Sequence, residues 1–192
     1  LFCVLCRDKP GALALRKDLK DFQVRSPVSG TVKSVILGER RSLKEIVIEP
    51  DGKEDVETFP SFTADKLLKT DRDAILTPLV ASGLLACIHS RPFDTIADPA
   101  VKPKSIFVNG MASAPFRPDA HVLVKGREKE LQAGLNALTS LTDGPVHLNL
   151  AADAKGKGDA LTGAAHVRVN YFSGAHPTGN TNVRALVEGI HR

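Results

Sequence analysis

The chain has 192 residues, a formal net charge of +4 and an apolar share of 42%, enough for one large domain or two small ones of ordinary globular composition. Its basic residues are scattered among acidic ones, and a single Tyr with no Trp gives no aromatic platform, which speaks against a nucleic-acid interface. No apolar run approaches the ~18–20 residues that cross a bilayer, Arg7, Asp8 and Pro10 break the start too early for a signal peptide, and three cysteines do not make a secreted disulfide scaffold. A reduced cytoplasmic setting is therefore expected. The chain begins at Leu1 and stops at Arg192 just after a helical pattern, so native sequence is expected beyond both ends.

Cys3-Val4-Leu5-Cys6 is a CxxC without a second pair, so the four ligands of a structural zinc site are not in evidence. The apolar residues around it read instead as a strand that carries two thiols. Arg16 to Asp21 is polar and reads as a turn of helix or a loop. Residues 24–59 read as β-structure with turns at Gly30, Gly38 and Asp51-Gly52. Val35 and Leu37, then Ile46 and Ile48, alternate with the period of half-buried strands, and Gly38-Glu39-Arg40-Arg41 joins them as a hairpin. The opening Ser26-Pro27-Val28-Ser29-Gly30 is like the P-x-x-G strand of lipoyl and biotinyl carrier barrels. Their attachment lysine, in Met-Lys-Met or Asp-Lys-Ala, is missing from Glu39-Arg40-Arg41-Ser42-Leu43-Lys44. We expect a carrier-like fold with no covalent cofactor.

Thr63 predicts the cap of a short helix over 63–68. Thr70 or Asp71 predicts the start of a longer one through Ile75, Leu76, Leu79, Val80, Leu84 and Leu85, kinked or delayed by Pro78. Cys87 falls on its apolar side and is expected in the core. Arg91-Pro92-Phe93 closes this section, and residues 98–104 read as a linker. A second module follows. Ser105 to Asn109 predicts a buried strand, Lys129 to Leu141 a helix with Leu131, Leu135, Leu138 and Leu141 on one side, and Asp143-Gly144-Pro145 its stop. Val146 to Leu150 and Ala165 to Tyr171 predict further strands, with His147 and His166 inside them. Residues 154–163 read as a mobile loop and 181–191 as a last helix. Strand, helix, strand at this spacing predicts βαβ units and a parallel sheet.

The fold expected is therefore α/β with a β-rich part: a carrier-like, barrel-sandwich β-domain over 1–60, a helical segment and linker over 61–103, and a Rossmann-like parallel α/β domain over 104–192. Tyr171 to Asn182 leaves a strand and enters a helix, where ligands of open α/β sheets bind. Gly174, His176 and Gly179 are the candidate ligand residues. Two readings stand: glycines that admit a ligand, or a tight Gly/Pro connection without one. The pattern is neither G-x-G-x-x-G nor a P-loop. Ser29 and Ser173 lie outside a nucleophile elbow, no His pair has metal-binding spacing, and no nucleophile–base–orienter set is present. No catalytic residue and no metal ligand is assigned.

Ser26-Pro27-Val28-Ser29-Gly30, Gly38-Glu39-Arg40-Arg41, Ile46-Val47-Ile48-Glu49, Arg72-Asp73-Ala74-Ile75, Leu79-Val80-Ala81-Ser82-Gly83-Leu84, Arg91-Pro92-Phe93, Ser105-Ile106-Phe107-Val108, Gly134-Leu135-Asn136-Ala137-Leu138 and Phe172-Ser173-Gly174-Ala175-His176-Pro177-Thr178-Gly179 come in an order that resembles the A subunit of the Na⁺-translocating NADH:quinone oxidoreductase. The resemblance covers about residues 26 to 180. After Gly179 the family's Gly-Thr-His-x-His pattern gives way to Asn180-Thr181-Asn182. It implies a peripheral subunit on the cytoplasmic side of a bacterial inner membrane. That subunit contacts the other subunits of a complex that oxidises NADH, reduces ubiquinone and exports Na⁺. It implies quinone binding and scaffolding here, with NADH, flavins and iron–sulfur on other subunits. The alternatives are an Rnf-type electron-transport subunit, which would carry iron–sulfur cysteine motifs, and a stand-alone carrier-like or nucleotide-binding module.

Overall fold

The computed structural model describes residues 12–15, 22–53, 55–111, 113–155, 161, 163 and 166–181. The expectations for Cys3, Cys6, residues 16–21 and the last helix beyond Thr181 lie outside them. The chain divides into two compact units, residues 1–61, 76–90 and 95–99 in one and 62–75, 91–94 and 100–192 in the other.

The first unit is built from antiparallel pairs. β1 (Ala12–Leu15) pairs with β2 (Gln23–Arg25), and β3 (Gly30–Leu37) with β4 (Leu43–Pro50). The β3–β4 register sets Val35 opposite Ile46 and Val32 opposite Ile48, so the alternation seen in the sequence becomes cross-strand apolar pairs. Glu39–Arg41 turns the hairpin, with Arg40 (φ +54°) and Arg41 (φ +58°) left-handed, and is closed by a bond from the Gly38 N–H to the Ser42 carbonyl at 2.7 Å. At the other end, the Lys53 N–H (3.0 Å) and the Ser29 hydroxyl (2.7 Å) both donate to Asp51 Oδ1. These two donors hold the Asp51 carboxyl below the usual carboxylate range.

Phe22, Val80 and Leu85 form the core of this unit, with Val24, Leu76, Ala86, Ile88 and Ile96 packed against them. Arg25 ties it together: Nε donates to the Ala81 carbonyl at 2.8 Å, the guanidinium pairs with Glu57, and it lies 5.2 Å from the centre of the Phe59 ring. The helix α2 (Arg72–Ala81) begins where the sequence places it, with Asp71 Oδ2 accepting from the Asp73 N–H at 3.1 Å. It stops earlier than the apolar spacing predicts. Gly83 turns left-handed at φ +79°, and Leu84–Cys87 is a 3₁₀ turn that buries Leu85 while leaving Cys87 exposed rather than in the core. Two-residue strands β5 (His89–Ser90) and β6 (Thr95–Ile96) complete this unit.

The second unit is a parallel sheet with helices. β7 (Ile106–Asn109), β8 (Val146–Ala151) and β9 (Val167–Phe172) lie in the order β7-β8-β9, all parallel. α1 (Ala64–Leu67), α3 (Ala120–Val124) and α4 (Glu128–Ser140) belong with it. Thr63 occupies the cap position of α1, but its side chain makes no capping bond. α1 is held instead by α4, through Asn136 Nδ2 to the Ala64 carbonyl (3.3 Å) and Ser140 Oγ to the Leu67 carbonyl (3.0 Å). His166 is not in a strand: it stands at φ +65° just before β9 begins. Of the expected loop over 154–163, Ala154 and Leu161 are buried in the core.

β8 is buried on both faces. Val146, Leu148 and Leu150 point one way, where Leu148 and Leu150 meet Leu135 of α4, with Val108, Val167 and Val169 around them. His147 and Asn149 point the other way. Asn109, Asn149 and Asn170 stand in register across the three strands, as do Phe107, His147 and Arg168. Asn170 Nδ2 donates to Asn149 Oδ1 (3.1 Å) and to His147 Nδ1 (3.0 Å), and the His147 ring stacks on Phe107 at 4.9 Å. The sheet thus has one apolar face and one amide-rich face.

Leu135 is 1% exposed at the centre of the apolar face. Leu135→Ala is expected to cost about 2–5 kcal/mol in urea unfolding, whereas Leu123→Ala, at a site 61% exposed, changes it by no more than about 0.5 kcal/mol.

Candidate functional site

The segment from Ser173 to Asn180 leaves the carboxyl end of β9, where the sequence places the ligand residues. It is wound by its own bonds. The Thr178 N–H (3.0 Å) and hydroxyl (2.6 Å) both donate to the Ala175 carbonyl, and the Asn180 N–H donates to the Pro177 carbonyl at 2.8 Å. His176 is exposed and Gly179 is buried.

The loop is clamped from the end of β7. Asn109, the last residue of that strand, donates from Nδ2 to the Gly179 carbonyl at 2.8 Å, while its Oδ1 accepts the Met111 N–H at 3.1 Å. Ser113 Oγ accepts the Gly179 N–H at 2.7 Å and lies 3.2 Å from His176 Nδ1. Both backbone groups of Gly179 are therefore held by side chains reached across some 66 to 70 residues of sequence. The structure brings Gly174, His176 and Gly179 into one short loop and adds Asn109 and Ser113. Asn109 is legible as the end of a predicted strand. Ser113 carries no local signal, because only the tertiary contact distinguishes it from any other loop serine.

The two glycines have internal reasons. A Cβ at 179 would stand 2.0 Å from Ser113 Oγ and 2.7 Å from Ser113 Cβ. At 174, φ is +140° and a Cβ would meet Thr178 Oγ1 at 2.7 Å. Close approach of neighbouring side chains accounts for glycine at both positions. The group that the loop presents outward is the His176 ring.

A concavity of about 210 Å³ opens at the carboxyl ends of β7 and β8, lined by Gly110, Arg117, Asp119, His121, Leu150 and Asp153. It is smaller than the roughly 300–1,000 Å³ of drug-sized ligand sites. Asp119 Oδ1 is committed to the His121 N–H at 2.9 Å, the cap of α3. Among the described residues, no group of three or more His, Cys, Asp or Glu is arranged to hold a metal ion.

A β-rich unit of antiparallel pairs and a unit built on a parallel sheet define a two-part chain, a carrier-like barrel-sandwich domain followed by a Rossmann-like α/β domain. Two family models match it in that order: the NqrA N-terminal barrel-sandwich hybrid domain over residues 8–51 and the NqrA second alpha/beta domain over residues 70–188. These matches run past both ends of the stretch that carries the sequence resemblance. The chain is 37% identical over 166 residues to the A subunit of the Na(+)-translocating NADH-quinone reductase of Alcanivorax borkumensis, covering 85% of this chain and 36% of that protein. It is 38% identical over 154 residues to the corresponding protein of Klebsiella pneumoniae (80% and 34%), and 35% identical over 170 residues to that of Yersinia pestis (86% and 37%). The chain belongs to the NqrA family, the A subunits of the Na(+)-translocating NADH-quinone reductases. It spans about a third of the length of these relatives.

If Ser113 packing fixes residue 179 as glycine, Gly179→Ala should destabilise the chain by about 1–3 kcal/mol, the usual cost of overpacking. Thermal and urea unfolding measure this; a variant as stable as wild type would remove the clamp as the reason for the glycine.

Proposed function

We propose that this chain is the barrel-sandwich and Rossmann-like part of a peripheral subunit in a membrane respiratory complex that oxidises NADH, reduces ubiquinone and exports Na⁺. In this reading it sits on the cytoplasmic side, contacts the other subunits, and contributes quinone binding and scaffolding. The redox groups and the ion path belong to those other subunits. The domain limits proposed with it are 1–60, 61–103 and 104–192. Family membership supports this reading, since the relatives' names carry both Na⁺ translocation and NADH-quinone reduction. So does the finding that no helix among the described residues is long and apolar enough to cross a membrane, which fits attachment through partners.

The observation that carries the quinone part is the exposed His176 ring at the carboxyl edge of a parallel sheet, with Nδ1 against Ser113 Oγ and Nε2 open among the described residues. A ring N–H aimed outward donates to a carbonyl oxygen, the polar group a quinone offers. Gly174 and Gly179 contribute by keeping the loop in the shape that presents the ring.

Titration of the purified chain with ubiquinone is the test. One neutral hydrogen bond contributes about 0.5–1.5 kcal/mol, so His176→Ala should weaken binding by up to about tenfold and leave the fold intact. Gly174→Val should be worse, because a β-branched residue does not accept φ +140°. If both variants bind like wild type, or wild type binds no quinone, the loop is reassigned to folding or to docking on a partner protein of the complex.

A further inference from the structure

We propose that Ser113 is a positioning residue that fixes His176 as a hydrogen-bond donor at Nε2. A serine hydroxyl has one hydrogen to give and two lone pairs to receive. The Gly179 N–H occupies one lone pair of Ser113 Oγ at 2.7 Å. The remaining neighbour of that oxygen is His176 Nδ1 at 3.2 Å, and it is the one acceptor near the hydroxyl hydrogen among the described residues. Giving that hydrogen to Nδ1 satisfies the hydroxyl and makes Nδ1 an acceptor. A neutral imidazole that accepts at Nδ1 carries its proton on Nε2. The reverse arrangement, with Nδ1–H donating to Oγ, puts two donors on one oxygen and turns the hydroxyl hydrogen out to solvent.

The hydroxyl cannot easily turn away, because the loop is pinned on both sides of it. Asn109 Nδ2 donates to the Gly179 carbonyl at 2.8 Å, and the Asn180 N–H donates to the Pro177 carbonyl at 2.8 Å. The N–H of Gly179 therefore stays on Oγ, and the serine's hydrogen is directed at the ring. The consequence is selectivity of a chemical kind. A donor at Nε2 takes a ligand atom with free lone pairs, such as a quinone carbonyl oxygen, and gives no acceptor to a ligand that can only donate. This role rests on the quinone reading above, but the tautomer itself does not.

The experiment has two arms. In the first, the ring nitrogens of His176 are observed by ¹⁵N NMR in the ligand-free chain at pH 8. The expected result is an unprotonated Nδ1 with the resonance of a hydrogen-bonded acceptor, moved toward that of a free ring nitrogen in Ser113→Ala. A protonated Nδ1 in the wild-type chain overturns the proposal, whatever binds. In the second arm, ubiquinone is titrated into wild type, Ser113→Ala and Ser113→Thr. Ser113→Ala should bind about three- to tenfold more weakly, while Ser113→Thr, which keeps the hydroxyl, should stay within about twofold of wild type. Equal binding by Ser113→Ala and wild type overturns the positioning role. Absence of quinone binding by wild type, with the expected tautomer observed, overturns the ligand reading while leaving the serine's control of the ring in place.

Discussion

Strand β8 is the element on which the second unit depends. It pairs with a neighbour on each edge and is covered on each face, so its six residues must satisfy four environments at once. The side chains of Leu148 and Leu150 enter the core with Leu135, each contributing on the order of 1.5–3 kcal/mol through burial. Two polar ones face the opposite way at 6% and 1% exposure, a costly arrangement unless their atoms find partners. Asn170 meets that demand for His147 Nδ1 and Asn149 Oδ1 from the neighbouring strand. Pairing of this kind works in one register alone, since a slip by one residue would exchange the apolar and amide faces.

That register also places the site. With β7, β8 and β9 aligned so that Asn109, Asn149 and Asn170 share a row, the ends of β7 and β9 come out of the same edge of the sheet. The side chain of Asn109 and the Ser113 hydroxyl then reach Gly179 from one strand end, and His176 is presented as part of the same clamp. A glycine-containing loop after a parallel strand is commonly taken to mark room for a ligand. Here the room next to Gly179 is filled by Ser113, and the room next to Gly174 by Thr178. In the proposed reading these residues place one imidazole ring, which is a different task from admitting a phosphate or a planar ring to the backbone.

Much of the architecture is legible in the sequence, for reasons that differ between elements. β7 and β8 are short apolar runs bounded by turn residues, and the structure gives Ile106–Asn109 and Val146–Ala151 where the runs lie. α4 follows its leucines, and the β3–β4 hairpin follows its alternation. Elements that depend on tertiary contact were not legible. β5 and β6 are two residues each and carry no period, and α3, with five residues and no buried side chain, leaves no apolar stripe to read. The expected run of α2 through Leu85 failed because apolar spacing continues across Gly83, although the backbone there turns left-handed. The same 3₁₀ turn rotates Cys87 outward. In the site, Gly174, His176 and Gly179 stand out as a composition shift between strand and helix. Ser113 does not, because its significance lies in a contact 63 residues away.

The central claim is that the loop clamped by Asn109 and Ser113 is the surface on which a quinone docks. Its most direct test is backbone amide NMR of the chain during titration with a short-chain ubiquinone. The claim predicts saturable shifts concentrated at Ser113, His176 and Gly179, with the β3–β4 hairpin unmoved. Shifts confined to the hairpin, or no shifts at saturating quinone, would contradict it.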